Sequence, residues 1–122
     1  MRAAITEAAL APAQVSGTAG GQSFCFDRDF VGFSGHFPDY PILPAVLQVL
    51  LAQLVAEAVI GTPLTVISLA RAKFVRQLRP TETIAVELDC QEQEGCYRCS
   101  ATLQVDKQKA ASFTLALKVA ER

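Results

Sequence analysis

The chain has 122 residues and a formal net charge of −1, with hydrophobic residues at 51% and charged residues at 19%. That length fits one domain, 1–122, and a chain of this size buries roughly 65% of the surface its unfolded form exposes, enough for a core without disulfides or metal. The composition excludes a disordered or collagen-like chain, and a pI near 5.8 argues against nucleic-acid binding, which needs a basic stripe.

The first twenty residues are the weakest part of the domain assignment. Residues 3–10 read as a strand or a short helix. Met1–Pro12 is Ala-rich, carries Arg2 and Glu7, and lacks the charged start and apolar stretch of a signal peptide. The expected location is therefore the cytoplasm. Thr18–Gly21 is a break with two adjacent glycines. Gln22–Asp27 reads as a strand with Phe24 and Phe26 on one face. Phe30–Pro44, rich in Gly, Pro and aromatic residues, must be a structured loop.

From Ala45 to Ile60 neither Gly nor Pro intervenes, and Gly61 with Pro63 closes the segment. Pro44 suits the first helical position, because its ring presets φ and its missing N–H would be unpaired there anyway. The predicted helix has about 16 residues and spans about 24 Å. It is apolar almost all round, which implies burial on most sides. The run Ile42–Ile60 contains Pro44, Gln48, Gln53 and Glu57, and falls short of the about 20 apolar residues a membrane span needs.

The rest is strand-like. Leu64–Gln77 is one bent strand or two short ones. Thr83–Cys90 alternates, with Ile84, Val86, Leu88 and Cys90 on one face. Gln91–Gly95 is a turn. Tyr97, Cys99, Ala101, Leu103 and Val105 alternate with polar residues, Asp106–Lys109 is the next turn, and Phe113, Leu115, Leu117 and Val119 share a face of the last strand. These are half-buried antiparallel strands in a meander. One helix and one antiparallel sheet must cover each other, giving an α+β domain with a sheet wrapped around a long central helix.

The cysteines are Cys25, Cys90, Cys96 and Cys99. Without a secretion signal, an even count does not imply a disulfide framework. Cys96 and Cys99 form a CxxC, but strand residues three apart point to opposite faces. They are read as packing residues rather than a metal pair.

The stretch with the most chemical content is Gly35-His36-Phe37-Pro38-Asp39-Tyr40-Pro41-Ile42-Leu43-Pro44-Ala45-Val46-Leu47. Its three prolines recur at three-residue spacing and stiffen it, and His36 is the chain's one histidine. Good N-caps are Ser, Thr, Asp or Asn, whereas Ile42 and Leu43 precede Pro44 here. The amides of Ala45 and Val46 then lack a side-chain acceptor. Free N–H groups at the positive end of a helix dipole make a site for a carbonyl oxygen or an anion. A base beside such a site is a usable catalytic constellation. The alternatives are a rigid connector in which His36 only packs, or a Pro-rich peptide ligand.

This stretch closely resembles the signature of the bacterial 3-hydroxyacyl-(acyl-carrier-protein) dehydratases, hot-dog-fold enzymes of fatty acid synthesis and related pathways. Lys73-Phe74-Val75-Arg76, followed by Leu78-Arg79-Pro80, resembles that family's KF-R strand and its Pro-containing turn. The resemblance covers roughly the last hundred residues. It implies that His36 takes the proton from C2 of an acyl thioester. It implies that the N–H of Ala45, where the family has a glycine, bonds the thioester oxygen. Phe37, Pro44, Val46 and Leu50 would line the substrate site. The family's acidic residue, which handles the 3-hydroxyl, falls at Leu50, and leucine cannot transfer a proton.

Leu50, Gln53 and Glu57 share a helical face. Gln53, about 4.5 Å further along the axis, can orient a water or a hydroxyl and stands as the second catalytic candidate. Glu57, about 10 Å along, reads as a charge near the helix end that reaches solvent or an Arg. Asp39 approaches the site or holds a turn. Gln48 resembles a glutamine of shorter dehydratase-like relatives in polyene-type pathways.

The expected function is dehydration of a 3-hydroxyacyl thioester to the trans-2-enoyl thioester. The alternatives are an acyl thioesterase using the same oxyanion site, with Gln53 or His36 aligning water, and a non-catalytic acyl-carrier or partner-binding subunit. The resemblance implies a substrate on acyl carrier protein or coenzyme A, carried by phosphopantetheine, with no other cofactor and no metal. It implies a homodimer or higher oligomer, or a heterodimer with a related subunit; the pI and the interrupted apolar run argue against nucleic-acid and membrane partners.

Overall fold

The computed structural model describes residues 1–33 and 41–120. Helix α1 (Arg2–Ala8) leads into strands β1 (Gln14–Ser16) and β2 (Ala19–Cys25) and a 3-10 turn at Val31–Phe33. Helix α2 (Ala45–Ile60) follows, then strands β3 (Leu64–Phe74), β4 (Thr83–Gln93), β5 (Cys96–Val105) and β6 (Gln108–Val119). The strands form one antiparallel sheet in the order β1-β2-β4-β5-β6-β3. The open choice at residues 3–10 resolves as a helix.

Two-residue turns join β4 to β5 and β5 to β6. Glu94 and Gly95 both have positive φ, as do Asp106 and Lys107. Two positive φ values in a two-residue loop match the right-handed twist of the flanking strands. The turns are therefore tighter than the expected Gln91–Gly95 and Asp106–Lys109, and the strands run further into them. Alternation sorts the faces as predicted: Ile84, Val86, Leu88 and Cys90 of β4 are buried, as are Cys99, Ala101, Leu103 and Val105 of β5. Val119 shares the parity of Phe113, Leu115 and Leu117 but not their burial. It lies at the end of β6, opposite Leu64, and is 48% exposed.

Helix α2 packs against β1, β2, β3, β4 and β5. It buries Leu47, Gln48, Leu51, Ala52, Val55 and Ala56, a stripe at i, i+1, i+4, i+5 that faces the core. At 16 residues it is of fairly ordinary length for a globular domain, so "long" overstates it. Nor is it buried on most sides: Val46 is 72% exposed, and Val49, Leu50, Gln53 and Leu54 are half-buried. Gly61 ends it in the left-handed region at φ 88°, its N–H bonded to the Glu57 carbonyl. No helix among the described residues is long and apolar enough to cross a membrane.

The two ends of the sheet differ. At one end the chain before β1 covers the free edge of β2. Ala9 bridges Phe24, the Leu10 N–H reaches the Ser23 carbonyl at 2.9 Å, and Gln22 Nε2 reaches the Ala11 carbonyl at 3.0 Å. At the other end β3 is one strand of 11 residues, almost wholly exposed beyond Val66. Its register against β6 shifts between Val66 and Ser68 and between Ala70 and Lys73, where Arg71 has φ 54°. These irregularities are the bend expected of Leu64–Gln77.

The cysteine reading needs correcting. Cys90 and Cys99 lie directly opposite each other on the buried faces of β4 and β5, Cα atoms 4.1 Å apart, and form a disulfide. Pairing depends on register, which spacing along the chain does not reveal. Cys25 and Cys96 are free thiols. Cys96 and Cys99 do fall on opposite faces, so the CxxC is not a two-thiol site.

Candidate functional site at the start of α2

Pro44 is the N-cap, not the first helical residue. Its φ of −62° suits a helix but its ψ of 152° is extended. As a cap it directs its carbonyl into the first turn, accepting from the N–H groups of Leu47 at 3.0 Å and Gln48 at 3.1 Å. Proline offers no side-chain acceptor, and the first turn holds no acidic residue. Among the described residues, the N–H groups of Ala45 and Val46 therefore have no acceptor. The positive end of the dipole stays uncompensated there.

Ala45, the first of these donors, lines a cleft of about 410 Å³. One wall is Ile42, Leu43, Pro44, Ala45 and Gln48; the other is Phe74, Val75, Arg76 and Gln77, where the chain leaves β3. The walls are fastened together. The Leu43 N–H donates to the Leu78 carbonyl at 2.8 Å, and the N–H groups of Val75 and Arg76 share the Ala110 carbonyl. Glu82 braces the far wall, pairing with the Arg76 guanidinium and accepting the Arg79 N–H at 2.8 Å. The Arg76 hydrogen bond, helped by the Arg79 N–H, holds the Glu82 carboxyl below its ordinary range against the opposing effect of burial. A larger groove, about 690 Å³, runs over β1, β2, β4 and β5. It offers no helix terminus, and Asp89 within it accepts the Thr18 hydroxyl at 2.7 Å. The chemistry of unpaired donors favours the smaller cleft.

Gln48 is the one polar side chain among the described buried residues, at 4% exposure. Its Nε2 donates to the Leu43 carbonyl at 3.1 Å, while its Oε1 has no partner among the described residues. A buried acceptor left unmade costs on the order of 1–3 kcal/mol. An apolar residue at 48 would pack without that cost.

The predicted site residues fare differently. His36, Phe37 and Asp39 lie outside the described residues. Pro44 and Ala45 line the cleft. The Val46 side chain is exposed to solvent, and Val46 does not line the cleft. Leu50 is half-buried and packs against the core. Gln53 is occupied elsewhere: its Nε2 donates to the Leu64 carbonyl at 2.9 Å. Glu57 Oε2 accepts the Leu64 N–H at 2.8 Å, and its other oxygen pairs with Arg2. The two side chains clamp both backbone groups of Leu64, fixing where β3 begins. Glu57 thus finds the Arg that its position suggested. Gln48 and the wall Phe74–Gln77 were not singled out as a pair. The available signal was a glutamine on the core-facing stripe of an apolar helix.

Residues 15–115 match the model of the ApeI-like family, described as ApeI dehydratase. Among curated relatives, the 3-hydroxyacyl-(acyl-carrier-protein) dehydratase FabZ of Desulforamulus reducens is 30% identical over 98 residues, 74% of this chain and 69% of its own. FabZ of Thermotoga maritima is 34% identical over 96 residues, again 74% of this chain and 69% of its own. The match to FabZ of Pelotomaculum thermopropionicum, 37% identical, spans half of that enzyme's length. Among solved structures, the dehydratase heterocomplex ApeI:P of Xenorhabdus doucetiae superposes with a TM-score of 0.76 at 21% identity, over 90% of this chain and 96% of that one. The antiparallel sheet packed on α2 is the hot-dog arrangement that the resemblance implied.

Proposed function

Since this chain belongs to the ApeI-like family of dehydratases, we propose that it removes water from a 3-hydroxyacyl thioester to give the trans-2-enoyl thioester. The observation that carries this reading is the start of α2, where the N–H groups of Ala45 and Val46 find no acceptor among the described residues and Ala45 lines a largely apolar cleft. A thioester carbonyl placed there gains negative charge when C2 loses its proton, and fixed donors stabilise that charge without reorganising. His36 is the base in this reading, and its neutral imidazole is the form that accepts the proton. The substrate brings its own phosphopantetheine arm, on carrier protein or coenzyme A, and the reaction asks for no other cofactor.

A second chain at β3 belongs to the same reading. The support is the open edge of β3, with Ile67 and Leu69 exposed at 51% and 46% and Val75 just beyond the strand. A second copy or a related subunit pairing there would extend the sheet and cover part of the cleft's Phe74–Gln77 wall. Leu50 in place of an acid is a feature of this proposal too, and it requires another group to meet the 3-hydroxyl.

The test is to incubate the protein with 3-hydroxyacyl carrier protein and follow enoyl absorbance. Conversion by the wild type and its loss in His36→Ala is the expected result. A wild type that performs no better than His36→Ala would overturn the reading.

A further inference from the structure

Resting on that dehydratase reading, we infer that Gln48 Oε1 accepts a hydrogen bond from the substrate's 3-hydroxyl, taking the hydroxyl-binding duty that Leu50 cannot perform. The amide's orientation is fixed. Only its NH₂ can face the Leu43 carbonyl, so Oε1 must point away from it. That oxygen is buried, lacks a partner among the described residues, and belongs to a side chain lining the cleft. A helical side chain leans back over the residues three and four before it, here Ala45 and Pro44. That lean brings the side chain toward Ala45, one of the two bare donors.

Such a site fits a ligand with an acceptor and a donor a short distance apart. A 3-hydroxyacyl thioester has that pattern, with its carbonyl at C1 and its hydroxyl on C3. The saturated and enoyl thioesters lack the donor.

The step balances without a second acid. The base takes the C2 proton, the C2–H electron pair becomes the C2=C3 bond, and the C3–O bond breaks. The departing hydroxyl keeps its own proton and receives the C2 proton from the protonated base, leaving as water. Gln48 neither gains nor loses a proton; it holds the hydroxyl in line.

Binding of 3-hydroxybutyryl-pantetheine and butyryl-pantetheine, measured by calorimetry on His36→Ala and on His36→Ala/Gln48→Met, tests the inference. Methionine conserves length and volume while removing the acceptor. The expected result is binding of the hydroxyacyl ligand weakened roughly tenfold, with the saturated ligand within about twofold. Equal weakening of both ligands, or of neither, overturns it. Gln48→Glu in the otherwise native chain is the second arm, and it stands even if the methionine variant misfolds. The wild-type rate should follow a single titrating base, whereas the glutamate should add a second limb to the pH profile. A glutamate variant with the wild-type profile overturns the inference. Failure of the dehydratase reading is separately visible, as a wild type that makes no enoyl thioester.

Discussion

Gly20 sets how closely β2 approaches α2, and it yields a sharp test of that packing. A Cβ built there would meet Val59 Cγ2 at 2.3 Å and the Gln14 carbonyl oxygen at 3.2 Å, with Val55 Cγ1 at an ordinary 3.8 Å. Gly20→Ala must therefore push the helix and the strand apart or move Val59. Overpacking of this kind costs about 1–3 kcal/mol. The stiffer unfolded chain offsets about 0.4–1 kcal/mol of that. The net expectation is a loss of about 1–2 kcal/mol. A chain of 122 residues melts with an entropy of about 260 cal/mol/K, so Tm should fall by about 4–8 °C. Thermal unfolding followed by circular dichroism measures it. Because one methyl of Val59 is the main obstruction, Val59→Ala in the Gly20→Ala background should recover stability, with a coupling of about 1 kcal/mol or more in the double-mutant cycle. A Gly20→Ala protein that melts at or above the wild type would refute the reasoning, as would two substitutions that simply add.

Gln53→Leu should lose about 1 kcal/mol through the missing bond to the Leu64 carbonyl while turnover per folded molecule is unchanged. Lost turnover at wild-type stability would instead return Gln53 to the chemistry. Glu82, whose carboxyl is held low, adds stability that is present above the ordinary carboxylate value and lost as pH falls through its lowered one. The Tm gap between wild type and Glu82→Gln should accordingly be constant from pH 7 to about 5 and shrink below about 4; a gap that persists at pH 2 contradicts the assignment. Lys107 sits at φ 65°, so Lys107→Gly should raise stability by about 0.5–1 kcal/mol, and a lower Tm would show the turn is not strained. Light scattering should give the wild type twice the 13.1 kDa chain mass and Leu69→Lys a single chain. Wild-type protein at one chain mass would exclude pairing of two copies through β3.

Much of the architecture was legible because it depends on local rules. Gly61 and the proline before Ala45 bounded α2 correctly, and period-two alternation sorted the faces of β4 and β5. What stayed hidden depends on partners distant in sequence. The Cys90–Cys99 pair exists because the register puts those residues opposite each other. Pro44 fits N1 and N-cap alike by φ, and only ψ separates the two. Gln53 looked available because its helical face was visible in the sequence, while the Leu64 backbone that occupies it was not. Gln48 was visible as a polar residue in an apolar run, yet its unpaired oxygen appears only once the Leu43 carbonyl is placed against its amide.

The covering of β2 by the chain before β1 has a consequence for assembly. A strand edge with unpaired backbone groups is a template on which further chains can add. Among the described residues, the first edge of this sheet offers little more than the three residues of β1, since residues 9–11 occupy the edge beyond it. Among the described residues, only β3 offers a long run of free backbone groups. Once two copies meet along it, neither has a long edge left, and growth stops at a closed pair rather than an open filament. Removing the first dozen residues would uncover β2 and give each copy two long edges, turning a self-limiting contact into one that can propagate.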